Sequence, residues 1–186
     1  MNNKIINETM DTKQKILKAA AHIINTEGVL SLTLEIVAKE AGLSKGGLLY
    51  HFPSKDALIE GMNDYLLNRY VTKLKNVAEI DSLEKGRWTR AYVTETFHQL
   101  DNEYDMNAAF LAAAATNPKL FEPMKEQFQE IQSLVEKDQI DPTMATVVKL
   151  AVDGLYFNEL FGQLYLQKDL RKKVLKFLTD LTRGDL

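Results

Sequence analysis

The chain has 186 residues, enough for one large domain or two small ones. Apolar residues make up 45% and charged residues 26%, which excludes a disordered chain, and the absence of cysteine excludes disulfides, thiolate zinc sites and a cysteine nucleophile. The net charge of −3 argues against nucleic acid as a whole-chain partner, but residues 1–60 hold seven lysines against seven acids, so a basic face can sit within a neutral segment.

The polar opening MNNKIINETMDTKQK lacks the apolar core of a secretion signal, and no run of ~18 apolar residues could span a membrane. The expectation is a soluble, cytoplasmic protein. Apolar spacing is helical almost throughout, with scarce proline and glycine and no strand-like alternation. The fold class expected is all-α, with about nine helices. A first helix runs from Asp11, its N-cap, to Glu27, and Gly28 stops it. A second starts after Thr33 and ends at Gly42. A third starts after Ser44 and ends before Pro53, which disfavours helical backbone at Phe52. A long fourth helix starts after Ser54. Beyond the polar break EIDSLEKG, five more are expected over about 84–101, 104–116, 118–137, 142–167 and 169–183.

The segment TLEIVAKEAGLSKGGLL has the spacing of a helix-turn-helix. That motif needs a small residue where two helices cross, a residue tolerant of positive φ in the turn, and apolar residues that lock the helices together. Ala38 fits the first role, Gly42 the second, and Val37, Leu43 and Leu48 the third. An ordinary helical hairpin would use the same turn. The residues from Ser44 to Lys55 favour DNA. Ser44 caps the third helix, and Lys45 stands in its first turn, where a recognition helix reaches base edges. Gly46 and Gly47 cost ~1 kcal/mol each relative to alanine inside a helix, and thin its surface for close approach to a groove. Tyr50 and His51 come a turn later; adjacent helical residues diverge, so one can face a phosphate while the other packs inward. Ser54 and Lys55 open the next helix as a phosphate clamp. Leu49 and Phe52 are assigned to packing.

Thr33 to Leu58, TLEIVAKEAGLSKGGLLYHFPSKDAL, resembles the DNA-binding signature of the TetR (tetracycline-repressor-type) transcriptional regulators, with the resemblance specific over about residues 12–60. It implies a phosphate contact at Thr33, a recognition-helix front at Lys45 and Gly46, its aromatic end at Tyr50 and His51, and a backbone contact at Lys55. Leu49 departs from the tyrosine that many members carry, which shifts that polar role to Tyr50. It also implies division into a helix-turn-helix domain, residues 1–56, and a helical effector-binding and dimerisation domain, residues 57–186.

The second half fits that division. ATVVKLAVDGLYFNELFGQLYL is apolar on nearly all sides, with Gly154, Asn158 and Gly162 spaced by four as a small-residue stripe. The last helix carries Leu170, Val174, Phe177, Leu178 and Leu181 on one stripe. Two such helices from each of two subunits would make a four-helix homodimer interface, with Gly154, Asn158, Gly162, Leu170, Val174, Phe177 and Leu181 in it. A set rich in aromatics and methionine suits a cavity for an apolar small molecule: Trp88, Tyr92, Met106, Phe110, Phe121, Phe128, Tyr156 and Phe157 are expected to line it, with Asn107, Glu95, His98 or Asn158 as polar anchors.

Glu95-x-x-His98 has the spacing of a di-metal helical bundle, which needs two such motifs, and the chain has one. No metal, cofactor or catalytic residue is expected, and the chain does not read as an enzyme. The function expected is a DNA-binding regulator, a repressor released from a palindromic operator by a small, largely apolar effector. The alternative is a helical ligand-binding or protein-interaction module that does not bind DNA.

Overall fold

The computed structural model describes residues 11–163 and 166–183. Among them lie nine α-helices and no strand: α1 Thr12–Glu27, α2 Leu34–Glu40, α3 Lys45–His51, α4 Lys55–Ile80, α5 Arg87–Asn102, α6 Tyr104–Ala114, α7 Glu122–Glu136, α8 Pro142–Leu160 and α9 Lys168–Leu181. Short 3-10 turns, Val29–Ser31 and Pro118–Phe121, precede α2 and α7.

Local chemistry sets the N-terminal boundaries. Thr33, Ser44 and Ser54 each accept a backbone N–H three residues on, at 3.2, 3.0 and 3.0 Å, so α2, α3 and α4 all start on a hydroxyl cap. Asp11 precedes α1 as expected, but its side chain makes no capping hydrogen bond. α2 stops at Glu40 rather than Gly42, because Gly42 turns left-handed at φ 68° and Leu43 N–H reaches back 2.8 Å to the Ala38 carbonyl.

Three later boundaries differ from the periodicity. The segment expected as helix over 142–167 ends at Leu160. Gly162 takes φ 65° and Gln163 N–H returns 2.8 Å to the Asn158 carbonyl, which closes the helix C-terminus. The segment from 118 opens as a 3-10 turn, with Asn117 Oδ1 accepting Lys119 N–H at 3.3 Å. α5 starts at Arg87, after Gly86 at φ 76°, where any side chain would meet the Thr182 carbonyl. Buried Asp138 fixes that start: its carboxylate accepts N–H from Trp88 at 3.1 Å and from Thr89 at 2.7 Å, and the Thr89 hydroxyl at 2.8 Å.

Two apolar cores result. The first joins α1, α2 and α3 to the start of α4 (Leu58, Ile59, Met62, Leu66) and to α6 (Met106, Ala109, Phe110, Ala113). The second joins the far half of α4 (Tyr70, Leu74, Ala78) to α5, α7, α8 and α9. α4, at 26 residues and ~39 Å, belongs to both. Packing therefore runs without a break across residues 56 and 57, and the change of core falls between Leu66 and Tyr70.

Candidate DNA-reading face and effector cavity

The turn at Gly42 lays α3 across α2, with Val37, Ala38 and Leu48 sealed between them. Burial of Val37 and Leu48 contributes ~1.5–3 kcal/mol each, which helps a seven-residue helix hold its place. The opposite side of α3 is open. Thr33, Ser44, Lys45 and Gly46 are exposed, and Tyr50 stands 86% exposed. An added Cβ at Gly46 would meet no atom within 4 Å, so nothing inside the chain requires glycine there. At Gly47 it would lie 3.3 Å from Ser44 Oγ. Lys45 Nζ is 3.7 Å from Glu35 Oε2, an exposed pair worth ~0–1 kcal/mol and easily exchanged for another acceptor.

Three expectations change here. Leu49, assigned to packing, is 37% exposed and belongs to the open face. His51 is half-buried, edge-on to Tyr50 with centroids 5.2 Å apart, and lines a groove between the start of α1 and α4 beside Glu60 and Asp64. The 100° turn between neighbours sends Tyr50 outward and His51 sideways. Lys55 Nζ donates to the Val29 carbonyl at 2.9 Å, tying the 3-10 turn to the start of α4, so this amine has a structural partner within the chain.

A cavity of about 820 Å³ lies between α4, α5, α6, α7 and α8, within the range of sites for drug-sized molecules. Of the expected lining, Tyr92, Asn107, Phe110, Phe121, Phe128, Tyr156 and Phe157 are there. Trp88 and Met106 are not. Met106 is buried in the first core, and Trp88 packs on the second core with Arg87 5.7 Å from its ring. Both lie on helices that do wall the cavity: Met106 turns to another face of α6, whereas Trp88 shares the stripe of Tyr92, Thr96 and Gln99 but stands one turn before them.

The polar anchors also resolve. Asn107 lines the cavity and donates to the Glu103 carbonyl at 2.9 Å. Glu95 and His98 lie outside it: buried Glu95 is 3.7 Å from Lys73 and 3.5 Å from His98. Burial raises the Glu95 pKa, opposed by those two groups. Asn158 donates to the Gly154 carbonyl at 2.6 Å.

Beyond Gln99 and Lys125, sequence reasoning missed five polar lining residues. On α8, Lys149 pairs with Asp153 at 2.6 Å, and the Tyr92 hydroxyl donates to the same carboxylate. Tyr70 and Thr96 are hydrogen-bonded to each other at 3.0 Å. Burial pushes the pKa values of Tyr70, Tyr92 and Tyr156 above that of a free tyrosine, so all three are neutral hydroxyls. The fifth is Asn63, 2% exposed, whose Oδ1 has no hydrogen-bond partner among the described residues. One signal pointed to it: a polar residue in the buried stripe Ile59, Met62, Asn63, Leu66, Tyr70.

With this geometry, residues 16–62 match the profile of bacterial regulatory proteins of the tetR family, and residues 86–183 match the tetracyclin repressor-like C-terminal domain. The chain belongs to the TetR family. As such it is a DNA-binding transcriptional regulator, and the matched families are regulators rather than enzymes. Relatives include the transcriptional regulator UidR of Escherichia coli K12, 23% identical over 80% of each chain. The uncharacterized regulator YerO of Bacillus subtilis is 32% identical over 37% of this chain and 24% of its own length, so that match spans about a quarter of YerO. A transcriptional regulator from Rhodococcus sp. Rha1, at 20% identity, superimposes over 94% of this chain and 97% of its own with a TM-score of 0.71.

Among the described residues, the TetR-family C-terminal unit exposes apolar side chains along its last two helices. Val147, Leu150 and Phe161 on and just beyond α8, and Leu170 and Phe177 on α9, are all at least half exposed. Gly154 is exposed with open space around it. Val174 and Leu181, expected on the same surface, instead pack partly against the second core. Gly162 lies in the turn after α8, so the stripe by fours ends at Asn158. No helix among the described residues is long and apolar enough to cross a membrane.

Proposed function

We propose that the chain acts as a homodimeric repressor whose operator affinity falls when a small, largely apolar molecule enters the cavity. The observation that carries this reading is the double use of α4. Its residues Asn63, Leu66, Leu67 and Tyr70 wall the cavity, while Leu58, Ile59 and Met62 hold the helix-turn-helix. A ligand that displaces this segment displaces α3 with it. Coupling of ~1–3 kcal/mol would change operator affinity ~5- to 150-fold.

In this reading residues 1–56 read DNA and residues 57–186 sense and dimerise, with α4 shared. Thr33, Ser44, Lys45, Gly46, Gly47 and Tyr50 face the operator, and Lys55 adds a phosphate contact through the N–H groups not used on Val29. The exposed face of α8 and α9 pairs with its copy, which sets two recognition helices ~34–36 Å apart on a palindrome.

Selection of bound sequences from random DNA by the purified chain tests this directly. A palindromic consensus is expected; no enrichment at low salt would leave a ligand-binding module that does not bind DNA. A ligand that binds tightly without changing affinity for the selected sequence would remove the switch.

A further inference from the structure

We infer that the cavity takes a neutral, largely apolar molecule with one hydrogen-bond donor, a hydroxyl or N–H, set against Asn63; this rests on reading the cavity as the effector site.

The walls that face the interior are mainly apolar, including Leu66, Leu67, Phe110, Leu111, Phe121 and Phe128. At the α8 end, the charged groups are already spent on one another. Lys149 neutralises Asp153 at 2.6 Å, Tyr92 donates to the same carboxylate, and the Lys149 ammonium stands 5.0 Å from the Tyr92 ring centroid. The pair sums to zero, and the other cation of the lining, Lys125, is paired with Glu122 at 2.6 Å. An anionic ligand would have to compete with Asp153 for Lys149, and a cationic one with Lys149 for Asp153. Tyr70 and Thr96 satisfy each other.

Asn63 differs from these groups. Its carbonyl oxygen is buried and without a donor among the described residues, an uncommon state for a side-chain acceptor in a folded interior. Asparagine is also a poorer helix former than the leucine its stripe would accept, so it weakens α4 locally. A ligand hydroxyl or N–H supplies the missing donor. Asn63 lies two residues beyond Gly61, against which the Phe52 ring packs. From Asn63 to Tyr70, α4 rises ~10 Å, so one elongated molecule can reach from this amide to the tyrosines at the α8 end.

The probes are para-hexylphenol, its methyl ether para-hexylanisole, para-hexylbenzoate and para-hexylbenzylamine, titrated calorimetrically into the whole chain at neutral pH. The wild type is expected to bind the phenol at least about tenfold more tightly than the ether, a difference of ~1.4 kcal/mol, although the ether is the more apolar. The anion and the cation bind more weakly than the phenol. Asn63→Leu is expected to keep the ether and to bring the phenol-to-ether ratio to about one. If Asn63→Leu does not fold by circular dichroism, Asn63→Ala serves the same comparison. Equal binding of phenol and ether by the wild type overturns the role of Asn63, as does a ratio that survives its replacement. Tightest binding by the benzoate or the benzylamine overturns the neutral-ligand assignment. If no probe gives heat or raises Tm, the effector-cavity reading falls too, whereas selection of a palindrome would still stand.

Discussion

Phe52, the residue that follows α3, points the Cε1 edge of its ring at the bare backbone of Gly61 on α4, so closely that any side chain at 61 would collide with it. The contact fixes α3 to the helix that walls the cavity. Gly61→Ala gains up to ~1 kcal/mol of helix propensity but must push Phe52 aside, an overpacking cost of ~1–3 kcal/mol. Net destabilisation of ~1 kcal/mol is expected in urea unfolding, together with weaker binding to the selected operator. An unchanged operator affinity would mean that Phe52 does not set the position of α3.

Gly46→Ala should behave in the opposite way. The position is helical and has open space, so alanine raises stability by up to ~1 kcal/mol while it thickens the face proposed to meet DNA. Higher Tm with lower operator affinity is the expected pair of results. A gain in stability with undiminished affinity would show that the glycine is not needed for close approach.

Lys45 and Lys55 separate by their surroundings. Lys45→Ala breaks only an exposed pair with Glu35, so stability should change by less than ~0.5 kcal/mol while preference among operator variants shifts. Lys55→Ala also removes a hydrogen bond to Val29, costing ~1 kcal/mol of stability. If Lys55 touches a phosphate as well, the salt dependence of binding falls by about one unit of slope. A slope equal to wild type restricts Lys55 to its role inside the chain.

Acid sensitivity should centre on the loop before α5. The Arg90 guanidinium, hydrogen-bonded to Asp81 at 2.7 Å, holds the Asp81 carboxyl below its ordinary value of 3.8, assisted by the Leu83 N–H and opposed by partial burial. Because the folded value is the lower one, this stabilisation is complete above 3.8 and is lost as pH falls through the folded value. Asp81→Asn should be less stable than wild type at about pH 7, with the gap closing at about pH 2, in urea titrations at both.

Phe177→Glu and Leu150→Glu place charges among the exposed apolar side chains of α8 and α9, where the wild-type side chains are at least half exposed. Sedimentation velocity should report a dimer for the wild type and a monomer for each variant. A dimer that survives both would place the interface elsewhere.

The helix-turn-helix was legible because its signals are local: three hydroxyl caps, a glycine at φ 68° and a proline after Phe52 act within a few residues. The cavity was legible only as a tendency. Met106 and Phe110 are one turn apart on α6, yet only Phe110 lines the cavity, and the choice depends on where α1 and α4 pack. Periodicity also missed the ends of α8 and α5, where positive-φ glycines and the buried Asp138 carboxylate decide the boundary. Asn63 stood in the sequence as a polar residue in an apolar stripe, but its missing partner is a fact of three dimensions.

α6 turns Asn107, Phe110 and Leu111 to the cavity, with Phe110 also in the first core beside Met106, Ala109 and Ala113, and Asn25 on α1 donates to the Asp105 carbonyl at 2.8 Å at its start. The DNA-reading unit therefore touches the cavity along two helices that are distant in sequence. A genetic screen for variants that bind operator but ignore the effector should return two separate clusters, around residues 59–66 and 105–115. Deep variation of α7, which walls the cavity apart from both clusters, could retune which molecule is sensed without disturbing which DNA is read.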